Sequence, residues 1–191
     1  MTTTRTRAVL VALTATAALA LTACGGNDDT TNGAPAATSA PATATAGAHN
    51  AQDVSFAQGM IPHHQQALEM AQLAADRASS AQVKDLAARI EKAQDPEINT
   101  MTGWLKAWGE DVPMAGMDHS GHAGMAGMMS DKDMTALKKA QGADFDTMFL
   151  TMMVEHHQGA VEMAGTEKSK GDYAPATSMA DAIVTAQNAE I

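Results

Sequence analysis

The chain has 191 residues, room for one domain of ordinary size plus a leader, and 45% of them are hydrophobic, enough for a packed core. Its 15 Met and 7 His against 3 Phe, 2 Trp, 1 Tyr and 1 Cys make thioethers and imidazoles the soft, polarisable groups; the single Cys excludes a Cys-based zinc module, a disulfide scaffold and a thiol redox enzyme. The formal charge of -10 argues against nucleic acid and anionic membrane surfaces as partners, because phosphate contacts need clustered Lys and Arg, and favours cationic ligands.

Residues 1–23 read as a lipoprotein-type signal peptide. Arg5 and Arg7 form the charged start, Ala8 to Ala20 an apolar stretch too short to span a bilayer, and Leu21-Thr22-Ala23-Cys24 resembles a lipobox. The expectation is a chain exported and tied to the outer face of the cell membrane through a lipid on Cys24. Any soft-metal site in the exported part must then be built from Met and His. Residues 24–48 are rich in Ala, Thr, Pro and Gly without apolar periodicity, the composition of a disordered tether.

The working domain, 49–191, is an internal repeat. One gapless offset places Asp53, Phe56, Met60, His63, His64, Gln65, Ala67, Glu69 and Met70 on Asp146, Phe149, Met153, His156, His157, Gln158, Ala160, Glu162 and Met163, and places Ile90, Gln94, Glu97 and Ile98 on Ile183, Gln187, Glu190 and Ile191. Apolar steps of three and four residues make each repeat a helical hairpin. In repeat one (50–109) the second helix runs to Gly109. Pro62 and Pro96 are expected to kink their helices or mark late starts. After a loop (110–130), Ser130 with Asp133 predicts the cap of a short connecting helix, and repeat two (131–191) carries helices from about Asp144 to Lys168 and from about Ala174 onward. The prediction is an all-α, ferritin-like, up-down four-helix bundle. Repeat one continues through Met101, Trp104 and Trp108 without a counterpart, so repeat two is expected to be cut short or the bundle open at that end.

On a helical wheel Met60, His63, His64 and Met70 share one sector of about 120°, and Met153, His156, His157 and Met163 share its twin, with Met70 and Met163 two to three turns further along as optional ligands. Imidazole with thioether and no thiolate selects Cu(I) or Ag(I), while Zn prefers nitrogen, oxygen or thiolate and Mg or Ca needs carboxylates. A single Met or His on a helix face is core filler; two Met-x-x-His-His motifs in a core with few aromatics are costly to bury without a use. Gln94, Glu97, Gln187 and Glu190 repeat on the partner helices as acceptors that hold the rings in the ligating tautomer. Glu69 and Glu162 fall on the outer side. Met114, Met117, His119, His122, Met125, Met128 and Met129 lie in a Gly-rich loop, where Met gains nothing from packing, and read as a metal-collecting segment.

Phe56-x-x-x-Met60-Ile61-Pro62-His63-His64-Gln65-x-Ala67, its second copy from Phe149, and Gln94-x-x-Glu97-Ile98 resemble the bacterial domain-of-unknown-function family three hundred and five. That resemblance implies a ferritin-like helical bundle, an extracytoplasmic role in copper binding and tolerance, and Cu(I) or Ag(I) on the matching Met and His. The expected function is copper sequestration or transfer without chemical turnover. The partners are then the metal ion, the membrane through Cys24, a copper-acceptor protein and a second copy of the chain. A ferritin-like di-metal oxidase or storage protein and a metal-free helical adaptor are the alternatives; the first wants Glu-x-x-His pairs, which the doublets lack.

Overall fold

The computed structural model describes residues 47–113 and 125–191. Residues 1–46, with Cys24, and the loop residues Met114, Met117, His119 and His122 lie outside the described residues. Within them the regular structure is helical: α1 (Ala51–Arg77), α2 (Ala81–Trp108), α3 (Asp131–Lys139), α4 (Gly142–Lys170) and α5 (Ala174–Glu190). The four long helices form a bundle in which α1 packs on α2, α4 on α5, and α1 on α4.

Local signals set the helix boundaries. Asn50 and Asp53 form a reciprocal capping box on α1, Ser130 and Asp133 form another on α3, and Gly109 ends α2 in the left-handed region at φ 76°. Pro62 and Pro96 do not delay their helices; α1 and α2 run through both positions. Each proline forfeits one backbone bond, which the packing of a long helix outweighs.

The two repeats are tied crosswise by their first aspartates. Asp53 of α1 accepts from the backbone N–H of Asp172 (3.3 Å) and Tyr173 (3.0 Å) in the α4–α5 turn, where α5 has no side-chain cap of its own. Asp146 of α4 accepts from the N–H of Ser79 (3.2 Å) and Ser80 (2.9 Å) in the α1–α2 turn. Each hairpin thus caps the turn of the other.

Asp53 has a neighbour that the repeat does not share. Where α1 carries Ala74, α4 carries Glu167; both Asp53 and Glu167 are fully buried, and a proton held on Glu167 is what lets the two carboxyl groups bond to each other. Burial, and then the Asp53 carboxylate, push Glu167 up to about 8. Asp53, although burial opposes its ionisation, is held below its ordinary value by hydrogen bonds from Glu167 and the backbone of Asn50, Tyr173 and Asp172. From the ordinary carboxyl range up to about 8, folded Glu167 keeps a proton that the unfolded chain has released, so stability falls as pH rises through this window. Glu167→Gln, which keeps a donor toward Asp53, should therefore gain about 2–4 kcal/mol over the parent near pH 9 and little near pH 4.5. Thermal melts across pH check this; identical slopes for parent and variant would remove the shared proton.

The core is layered. One apolar cluster joins the second half of α1, the first halves of α2 and α4, and α3, with Phe145 and Phe149 stacked at 5.8 Å. The other joins the first half of α1, the second halves of α2 and α4, and α5. The α2 extension is not left open: Trp104 and Trp108 meet Tyr173 edge-on at 5.6 and 5.2 Å. Between the clusters lie His63, His64, His156, His157, Gln94 and Gln187, all buried, with Glu97 and Glu190 at the rim.

Candidate metal centre

Antiparallel packing of α1 on α4 brings the two His doublets together. His63 and His156 lie ring on ring, with centroids 3.7 Å apart and planes at 39°. His64 Nε2 donates to Glu97 Oε2 at 2.7 Å, and His157 Nε2 donates to Glu190 Oε2 at 2.8 Å. His63 Nε2 meets the Ala126 carbonyl at 3.2 Å, which accepts and so fixes the proton there.

These acceptors decide where the lone pairs are. With Nε2–H committed to these acceptors, Nδ1 is the remaining ring nitrogen of His63, His64 and His157, and none of these buried Nδ1 atoms has a hydrogen-bond partner. His156 has a partner at neither nitrogen. Burial, then the neighbouring His64, push His63 down to about 3, and burial, then His63, His157 and His64, hold His156 well below its ordinary value. Four imidazoles with free, buried nitrogen lone pairs would each cost about 1–3 kcal/mol in a merely structural core.

The carboxylates and the amides on the partner helices part company. Glu97 and Glu190 orient rings; Gln94 and Gln187 are buried, but their side-chain oxygens have no partner and hold no His. The Met residues also separate. Met60 is fully buried in the cluster of α1's first half, Met70 and Met153 lie in the opposite apolar cluster, and Met163 is only partly buried. Met70 is therefore core packing away from the His layer, because two to three helical turns carry it past the layer despite its place on the wheel. Among the described residues no three His, Cys, Asp or Glu side chains are grouped to hold an ion. Unpartnered imidazole nitrogens with thioethers in the clusters on either side are a donor set that suits a soft ion such as copper or silver.

The described part of the loop is bound into the site. Met125, Met128 and Met129 belong to a strap that crosses α1 and α4. Gln66 donates from Nε2 to the Met129 carbonyl at 2.9 Å and accepts the Met129 N–H at 2.8 Å. Gly127, at φ 78°, lies so close to α4 that a Cβ there would stand 2.7 Å from the Glu155 carbonyl oxygen, and a Cβ at Gly159 would collide with the Ala126 carbonyl. Sequence reasoning passed over Gln66 and Gly159. Their signal was a broken repeat: the offset that pairs the doublets sets Gln66 opposite Gly159, so one half supplies the clamp and the other the gap.

Substituting Glu97→Ala or Glu190→Ala frees one ring to rotate and change tautomer. Cu(I) affinity should fall about 10- to 100-fold with the helical signal unchanged. A competition titration checks this, and unaltered affinity in both variants would show that ring orientation is not what these carboxylates contribute.

A duplicated four-helix bundle with a buried imidazole layer defines the class. Within it, the profile described as "Domain of unknown function (DUF305)" matches residues 53–191, and the chain belongs to that family. A DUF305 protein of Streptomyces coelicolor, assigned as secreted, is 32% identical over 73% of this chain and 87% of its own, with a TM-score of 0.66. A DUF305 fragment from Deinococcus radiodurans is 32% identical over 74% of this chain and 91% of its own, also at 0.66. CopM, solved in a Cu(I)-bound form, is 35% identical over 73% of this chain and 89% of its own, with a TM-score of 0.60; Cu(II)-bound and Ag-bound forms of CopM are similar to the chain as well. No curated protein matches the chain.

Proposed function

We propose that the chain is an extracytoplasmic protein that binds Cu(I), and Ag(I) in its place, to sequester copper or hand it on, without turnover of its own. The observation that carries this is the set of buried, unpartnered imidazole nitrogens at the centre of the bundle. Burial keeps His63 and His156 free of the proton that a metal would have to displace, and the carboxylates on His64 and His157 aim those two rings. Met60 and Met153, each three residues before its doublet, are the nearest thioethers on the same helices to complete the site. CopM's Cu(I), Cu(II) and Ag forms support copper and silver as the cargo. The leader and the Streptomyces coelicolor relative assigned as secreted support export, and Cys24 at the leader's end supports a lipid anchor; a copper-acceptor protein is the receiving partner of this proposal.

The test is an anaerobic Cu(I) titration of the purified protein against a chromogenic chelator of known affinity, with Zn(II) in parallel. Cu(I) should be withdrawn from the chelator and Zn(II) should not compete. Failure to withdraw Cu(I), or preference for Zn(II), ends the copper reading.

A further inference from the structure

Gly59 lies on α1 one helical turn before His63. A Cβ built there would stand 3.7 Å from the Sδ of Met125 and 3.7 Å from the Sδ of Met163, so two thioethers from different segments flank one point. The sister position in repeat two is Met152, so this gap exists in one half of the molecule only. Both methionines are partly exposed, unlike the buried Met60, and solvent reaches them.

The position of Met125 is built. The strap that carries it is held at Met129 by both polar atoms of the Gln66 side chain, at Ala126 by His63 Nε2, and at Gly127 by backbone contact with α4. A sulfur held by its neighbours' bonds has already met most of the ordering cost that a flexible loop would meet on binding an ion. The residue after Met125 is bonded to His63, and Met163 stands two turns beyond His156, whose ring nitrogens are buried and without partners. A thioether pair carries no charge and no proton, so it selects a soft monovalent cation and gives Zn(II) little hold.

We infer that Met125 and Met163 form a two-thioether receiving station for Cu(I) or Ag(I) at the edge of the imidazole layer, from which the ion passes to His63 and His156. The onward step rests on the proposed copper-binding role of the His layer; the station itself does not.

The experiment uses the full chain with methyl-13C methionine, titrated anaerobically with Ag(I) and separately with Zn(II). Met125→Leu and Met163→Leu assign the two methyl resonances and, being close in volume, preserve packing. The expected result is that both resonances shift over the same Ag(I) equivalents, that either substitution abolishes the shift of the other, and that Zn(II) moves neither. The two shifts should persist when His64, His156 and His157 are all alanine and His63 is kept to hold the strap, which separates the station from the core. Resonances that stay still, or that move independently of each other, overturn the station. If they stay still while the parent binds Cu(I) tightly, the station falls and the His layer stands; if they shift together in a protein without tight Cu(I) binding, the reverse holds.

Discussion

Replacing His63, His64, His156 and His157 together with alanine should abolish tight Cu(I) binding and leave a helical protein. The loss expected is roughly a thousandfold or more in affinity, about 4 kcal/mol, because removal of all four imidazoles leaves thioethers without nitrogen partners. The fold should survive because two effects oppose each other. Truncating buried rings opens cavities, yet it also removes polar atoms that the apo protein leaves unpaired, each a destabilising burden in that layer. The apolar clusters on either side of the layer are untouched. Chelator competition with circular dichroism on the same samples decides the matter: a helical variant that still withdraws Cu(I) as the parent does would assign the doublets a structural role.

Gly159→Ala should be destabilising, against the usual gain for this exchange in a helix. Alanine is favoured over glycine by about 1 kcal/mol at an exposed helical position, and Gly165, with open space around it, should show that gain. At Gly159 the new methyl would occupy the place of the Ala126 carbonyl, a backbone group pinned through His63 and the Gln66–Met129 pair. The strap must lift or α4 must shift, at roughly 1–3 kcal/mol, a fall in Tm of about 5–10 °C. His63 would lose its acceptor, so its proton would no longer be fixed at Nε2. Comparing Gly159→Ala with Gly165→Ala in thermal melts tests the contact directly; equal, positive shifts would mean that the strap does not bear on α4.

Much of the architecture is periodic and therefore legible in the chain. The cap at Ser130, the stop at Gly109, and the recurrence of Met-x-x-His-His each depend on residues within a turn or two of one another. Such local rules produce helices and place the doublets on one face before any tertiary contact forms. Met70, an optional ligand two to three turns along the axis, packs in an apolar cluster, and Gln94 and Gln187 share the layer without reaching a ring. Asp53 and Asp146 were visible as a repeated pair, but their hydrogen bonds run to the other hairpin, over a separation that no local pattern encodes.

Composition and period alone point to an all-helical domain with two Met-x-x-His-His motifs, each on one helix face. Which nitrogen His63, His64 and His157 present is set only in the folded bundle, where Ala126, Glu97 and Glu190 accept the Nε2–H bonds from across it. Tertiary structure also decided which methionines leave the core: the strap docks where Gln66 faces Gly159, a break in the repeat that acquires meaning only when α1 and α4 lie side by side. The physical reason is range. Helix periodicity acts over a few residues, whereas tautomers, buried lone pairs and close backbone approach are set by groups that meet only after the chain has folded.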